Sequence, residues 1–110
     1  MVELERDLIK ATIRGFSRVI ILWLLSRKPM SGYAITKELR AMTGWNMTAG
    51  VVYTLLYDLA EMNLIHGEWH QKGRRRVRVY SVTDKGCELL KSIRRLFKMP
   101  VKDLIKDMFF

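Results

Sequence analysis

Two runs of residues, 65–71 and 76–82, carry the β-branched and aromatic side chains of strands, and only Lys72-Gly73-Arg74-Arg75 separates them. A glycine-containing connection that short makes the two strands antiparallel neighbours in a hairpin. Elsewhere in the 110 residues the apolar positions recur with the helical period. The chain therefore builds one hairpin within a helical domain, and no larger sheet is expected.

Leu4, Leu8 and Ala11 with Ile9 and Ile13 suit a short amphipathic helix. Phe16, Val19, Ile20, Trp23 and Leu24 continue that spacing until Arg27-Lys28-Pro29 stops it, with a kink expected at Gly15. Ser31 is the natural N-cap of a second helix over residues 32–42, ended by Thr43-Gly44, and Thr48 that of a third over residues 50–62. On the third helix Val52, Leu55, Leu56, Leu59 and Met62 gather on one side. Gly50, Thr54, Tyr57, Asp58 and Glu61 gather on the other. After the hairpin, Thr83 caps a fourth helix with the apolar stripe Leu89, Leu90, Ile93, Leu96 and Phe97. Beyond Met99-Pro100, Val101, Leu104, Ile105 and Met108 mark a last helical segment.

Charge narrows the partner. The formal net charge is +9, and residues 66–98 hold 10 basic against 3 acidic groups, whereas residues 1–65 hold 8 against 6. Lys72, Arg74, Arg75, Arg76 and Arg78 put five cations and no anion at the hairpin tip, a density that self-repels unless solvated or met by phosphate. Double-stranded DNA is the expected partner and a membrane is not, because the longest charge-free run, residues 42–57, is studded with Thr, Asn and Gly. The N-terminus shows no basic region followed by an apolar stretch, so a cytoplasmic location is expected. Cys87 alone makes no internal disulfide, and with only His66 and His70 it is a poor metal set, so neither a metal nor a cofactor is expected. No nucleophile with a base, paired carboxylates or phosphate loop is visible, which argues against an enzyme.

Three helices followed by a hairpin match a winged helix-turn-helix, in which the second helix of the pair enters the major groove and the hairpin tip reaches the DNA beside it. The fold class is thus mainly α with a small β-hairpin, plus amphipathic helices for dimerisation at both ends. On the recognition helix, Thr48, Gly50, Tyr53, Thr54 and Tyr57 are the candidate DNA-binding residues. No Lys or Arg lies among residues 45–57, which shifts the expected readout to hydroxyls, thymine methyl groups and DNA shape. Tyr33, Lys37 and Arg40 on the second helix and Lys72, Arg74, Arg75, Arg76 and Arg78 on the wing are the candidate phosphate contacts. Tyr33 and Tyr53 either reach phosphate or pack with the hydroxyl at the rim. Trp45 and Trp69 either wall an effector pocket or pack. Arg76 and Arg78 share a strand face with Tyr80 and Val82, which are expected to turn inward at the strand base while the arginines reach out near the tip.

These residues resemble the PadR-like family of transcriptional regulators over about residues 21–90. Pro29-Met30-Ser31-Gly32-Tyr33 looks like the family's turn into the second helix. Gly50-Val51-Val52-Tyr53-Thr54-Leu55-Leu56 looks like its recognition-helix signature, and Tyr80-Ser81-Val82-Thr83-Asp84-Lys85-Gly86 like its wing-to-helix motif. The chain departs from the pattern at Val51, Thr54, Tyr57-Asp58 and Asn63, where the family often has Ser, Pro, a basic pair and Gly. The resemblance implies a homodimeric, repressor-like protein joined through its C-terminal helices, often releasing DNA when a small aromatic or lipophilic effector binds.

The dimer is also expected from the residues. One small core cannot absorb the stripes on residues 4–13, 89–97 and 101–109, so Leu89, Ile93, Leu96, Phe97, Leu104, Ile105 and Met108 are the candidate dimer interface. The alternative is that these helices fold back on their own domain. The expected division is an N-terminal helix over 1–14, a DNA-binding domain over 15–83 and a dimerisation segment over 84–110. Any apolar concavity for an effector is expected between subunits. A winged helix serving only protein partners is the rival reading, and five cations at a hairpin tip weigh against it.

Overall fold

Three hydroxyl side chains start three of the helices. In the computed structural model, which describes residues 2–110, Thr48 caps α3 (Ala49–Glu61) by accepting from the Val51 amide at 3.2 Å. Ser31 does the same for α2 (Gly32–Thr43) through Ala34, and Thr83 for α4 (Asp84–Phe97) through Gly86. Each satisfies an amide that the first turn leaves without a helical partner. Gly44 ends α2 at φ 74°, its N–H donating to the Arg40 carbonyl, as a left-handed C-terminal glycine does. Met1, the first residue of the expected N-terminal segment, lies outside the described residues.

The first helix departs from expectation. α1 runs unbroken over Val2–Arg27, straight through the expected join at Gly15 as one helix. One glycine costs a helix only about 1 kcal/mol relative to alanine. That is too little to break a helix whose second half is anchored by buried Ser17, Ile21, Leu22, Leu24 and Leu25.

The sheet is also larger than the expected hairpin. β2 (Ile65–Lys72) and β3 (Arg75–Val82) pair antiparallel from Ile65↔Val82 out to Lys72↔Arg75, leaving Gly73 and Arg74 as a two-residue turn. Gly73 has φ 63°, at the first turn position, where a primed hairpin turn takes glycine. A third strand, β1 (Met30–Ser31), then adds to the other edge of β3 through Met30↔Tyr80 and Ser31↔Val79, giving the order β1-β3-β2. Two residues are too few to show an alternating pattern, so this strand leaves no periodicity to read.

Helices and sheet enclose one core, with Ile21, Ile35, Leu39, Val52, Leu55, Leu56 and Leu59 at its centre and Leu64, Ile65 and Leu90 closing it from the wing side. Tyr80 and Val82 pack against it, as expected for the inner end of their strand. Among the described residues, both buried polar side chains are bonded: Ser17 Oγ donates to Met47 Sδ and Thr36 Oγ1 to the Gly32 carbonyl.

The α3–β2 turn holds wing and core together. Asn63 sits at φ 59°, a left-handed conformation that asparagine tolerates and glycine favours. The Thr83 amide donates to the Leu64 carbonyl at 3.1 Å, Thr83 Oγ1 to the Asn63 carbonyl at 2.6 Å and Lys85 Nζ to the Met62 carbonyl at 2.8 Å. Gly86 then lies so close to this turn that a Cβ would strike the Leu64 carbonyl. Gly86→Ala is therefore expected to destabilise the protein by about 1–3 kcal/mol, as overpacking against backbone does. Gly15→Ala, with nothing within 4 Å of the added carbon, should stabilise it by about 0.5–1 kcal/mol. Chemical denaturation of both variants checks the pair, and a destabilised Gly15→Ala would contradict a continuous α1.

Candidate nucleic-acid interface

α3 presents an outer face without a cation. Thr48, Gly50, Tyr53, Thr54 and Tyr57 are all exposed, while Val52, Leu55, Leu56 and Leu59 are buried behind them. Thr54 Oγ1 donates back to the Gly50 carbonyl at 3.0 Å, leaving its oxygen free to accept and its methyl free to make apolar contacts. Tyr53, though exposed on one side, also packs. Its ring covers Gly32, where a Cβ would come within 2.6 Å of the ring, so Tyr53 packs α3 onto the start of α2 with its hydroxyl beside that contact. Tyr33, 74% exposed, has no such burial.

The wing does not spread its five cations at random. Alternation along β2 and β3 sends Lys72 and Arg75 to one face and Arg76 and Arg78 to the other, with Arg74 in the turn between. Arg76 and Arg78 both lie over the ring of Trp69, at 4.9 and 5.2 Å from its centre. Trp69, 56% exposed, is thus a surface platform against which two guanidinium groups pack. On the opposite face Glu68 sits between His66 and His70, its carboxylate oxygens 3.3 and 3.5 Å from their Nε2 atoms.

Tyr33 and Lys37 of α2 line a groove of about 1140 Å³ that reaches across to Lys72, Val77 and Val79 of the wing. This groove lies within one chain, and Arg27, Lys28, Lys37, Glu38 and Lys72 on its walls make it a largely polar one rather than the apolar concavity expected between subunits. Arg27 and Lys28 join the same groove from the end of α1. In sequence they read only as a helix stop, yet Arg27 is held over Trp23 at 5.1 Å. Arg40 is less free than expected of a phosphate contact, since its Nε donates to the Met47 carbonyl at 2.6 Å and so fixes the turn between α2 and α3.

α1 contributes two further residues that sequence reasoning misses. Arg14 and Arg18 form one wall of a cleft whose other wall is Thr48, Gly50, Val51, Thr54, Leu55 and Asp58. Their spacing of four is the available signal, but in an amphipathic helix assigned to dimerisation it reads as the solvated side.

The terminal helices leave their apolar residues uncovered in the single chain. Leu90 is the buried apolar residue of α4, and α5 (Val101–Phe109) buries none. Leu89, Leu96, Phe97, Leu104 and Met108 are exposed, and Ile93 and Ile105 are half-buried. No described helix is long and apolar enough to cross a membrane.

A three-helix unit carrying a three-stranded wing is a winged helix-turn-helix. The transcriptional regulator PadR-like family matches residues 21–92, and the chain belongs to that family. Among solved structures, it is similar to a transcriptional regulator from Thermoplasma acidophilum, with a TM-score of 0.79 and 25% identity over 89% of this chain and 94% of that one. A PadR-like transcriptional regulator from Bacillus cereus shares the fold with a TM-score of 0.78 and 22% identity, covering 91% of this chain and 98% of that one. Bacillus subtilis PadR, solved in complex with operator DNA, aligns at 26% identity and a TM-score of 0.62 over 70% of this chain and 45% of that one. No curated protein matches the chain.

The Trp69 platform has a direct signature. The Nε–H resonances of Arg76 and Arg78 should be shifted upfield by the indole ring current and should return to ordinary positions in Trp69→Leu. Removing two exposed cation–π interactions should cost about 0.5–1 kcal/mol each. Unshifted resonances in the parent protein would mean the arginines do not stack.

Proposed function

We propose that this protein is a sequence-specific regulator of transcription that binds double-stranded DNA as a homodimer, in the manner of a repressor. The observation that carries the reading is the distribution of charge. The exposed face of α3 has hydroxyls, a methyl and backbone but no cation, and positive groups stand around it on the wing, on α2 and on α1. A helix of that kind suits the major groove, where base edges are read by small hydrogen-bonding groups, and the surrounding cations suit the phosphates on either side. The operator complex of Bacillus subtilis PadR supports the same reading by relationship.

Thr48, Gly50, Thr54 and Tyr57 are assigned to the base edges, with Tyr53 bracing the helix. Tyr33, Lys37 and the wing cations Lys72, Arg74, Arg75, Arg76 and Arg78 are assigned to phosphate. Arg40 keeps that role only through its remaining guanidinium nitrogens. The functional division remains residues 1–14, 15–83 and 84–110, with the first boundary falling inside α1. The uncovered stripe of Leu89, Ile93, Leu96, Phe97, Leu104, Ile105 and Met108 is assigned to the partner subunit, because so many exposed apolar side chains on adjoining helices are unusual for a monomer. An aromatic or lipophilic effector, which the family resemblance implies, has both the subunit boundary and the groove beside Tyr33 open to it.

Neutralising Arg74, Arg75 and Arg76 together should weaken binding to every DNA sequence, and it should lower the salt slope by roughly 0.9 for each phosphate left without its cation. Thr54→Ala or Tyr57→Ala should instead relax sequence preference more than it lowers affinity for random DNA. Fluorescence anisotropy across a salt series, with DNA from upstream of the protein's own gene and with random duplex, separates the two effects. Equal losses on both DNAs for Thr54→Ala would remove α3 from the base edges.

A dimer joined through α4 and α5 would set its two recognition helices about 34 to 36 Å apart on one DNA face. Inverted half-sites one helical turn apart are therefore expected to bind best. Deleting residues 99–110 should shift the protein toward monomer in sedimentation and weaken binding to paired half-sites. A parent protein that stays monomeric at micromolar concentration, with full affinity for one half-site, would exclude this arrangement.

A further inference from the structure

The face of α1 that buries Ser17, Ile21 and Leu25 continues toward the N-terminus as Arg18, Arg14 and Lys10. These cations stand at i, i+4 and i+8, so they share one side of the helix. Where the core ends, α1 runs on past it, and its inner face carries these cations, with Asp7 and Glu3 following only beyond Lys10. That overhang is not directed into empty solvent. Arg14 and Arg18 share a cleft of about 290 Å³ with Thr48, Gly50 and Thr54, and Lys10 and Arg14 line an adjoining one with Trp45, Asn46 and Thr48.

We infer that Lys10, Arg14 and Arg18 of α1 form a second phosphate-binding surface for duplex DNA, flanking the recognition helix on the side away from its contact with α2. The inference rests on the DNA-binding reading above. It follows from shared walls: a duplex whose base edges reach Thr48, Gly50 and Thr54 brings its backbone against the other side of the same cleft, where Arg14 and Arg18 stand. The charge of α3 gives the reason. That helix has no Lys or Arg, and its last turns carry Asp58 and Glu61. Unaided, it would present negative charge to the backbone. Arg18 lies 3.8 Å from Asp58, both about half-exposed, so it offsets that carboxylate rather than standing free. Arg14 and Lys10 have no acidic partner within ion-pair distance among the described residues, and both are exposed. The positive charge that the recognition helix lacks is thus supplied by the neighbouring helix.

The test uses the full chain and a short random-sequence duplex as probe, in anisotropy titrations across a salt series. Lys10→Gln with Arg14→Gln is expected to leave the circular dichroism spectrum unchanged, since neither side chain is buried. It should weaken binding and reduce the salt slope by about 0.9 for each phosphate left without its cation. Arg14→Lys, which keeps the charge, should retain the slope. Asp58→Asn gives the opposite sign, because it removes the one acid in the cleft and frees Arg18, and it should tighten binding to the same duplex. The wing variant with Arg74, Arg75 and Arg76 neutralised runs alongside. If that variant loses slope while the Lys10/Arg14 variant keeps its affinity and slope, the α1 surface is refuted and the DNA reading stands. If the parent protein shows no salt-dependent binding at all, the DNA reading fails and this inference falls with it.

Discussion

The carbonyl groups of Met62, Asn63 and Leu64 each accept a hydrogen bond from the segment that begins α4, and the Leu64 amide donates back to Leu59 inside α3. Four elements meet in this turn: the end of α3, the first residues of β2, the last of β3 and the start of α4. Had these carbonyls been left to solvent, β2 could start at another residue, and a shift of one would turn each strand side chain to the opposite face. Trp69 would then lose Arg76 and Arg78, and Ile65 would leave the core. The left-handed Asn63 and the close-packed Gly86 are the local costs of holding this junction. They are offset by the burial of Leu64, Ile65 and Leu90 around it.

From that junction the electrostatic design follows. Wing strands held in one register display their cations on two faces and at the tip, so a polyanion lying against the hairpin meets positive charge whichever side it passes. Stacking on Trp69 reduces the mobility of Arg76 and Arg78 without neutralising them, because the ring quadrupole attracts a cation but carries no net charge. In the proposed complex with DNA, the division of labour between an α3 without a cation and its basic surroundings would separate two energies that differ in kind. Phosphate contact is strong, salt-sensitive and indifferent to sequence, whereas contact at base edges is weaker and selective.

Features encoded by a single residue or by a period are legible in the amino-acid sequence alone. Ser31, Thr48, Thr83 and Gly44 cap helices where their chemistry indicates, and the hairpin turns at Gly73. Features that depend on residues distant in sequence are not. β1 is two residues long and exists because β3 offers it an edge, so nothing local marks it. The Trp69 platform needs the register that places Trp69 opposite Arg78. Gly32 reads as the glycine of a turn motif, and only the packed structure shows Tyr53 occupying the space its side chain would fill. Arg14 and Arg18 read as part of their own helix, because the cleft they share with α3 is formed by tertiary packing.

The helices that the core cannot cover owe their exposure to how α4 is tethered. It is tied at its N-terminus by Thr83, Lys85 and Gly86, contributes Leu90 to the core and packs against α1, while its last turns remain exposed. The tether at its first turn sets its direction, and the exposed Leu96 and Phe97 of its last turns point where the domain has no wall. α5 follows after Pro100 with no side-chain cap and no buried residue, so little within the chain holds it. A short helix without tertiary contacts is marginal in water. In the proposed dimer, a second copy presenting the same stripe would supply α5, by two-fold symmetry, with the surface that its own chain does not.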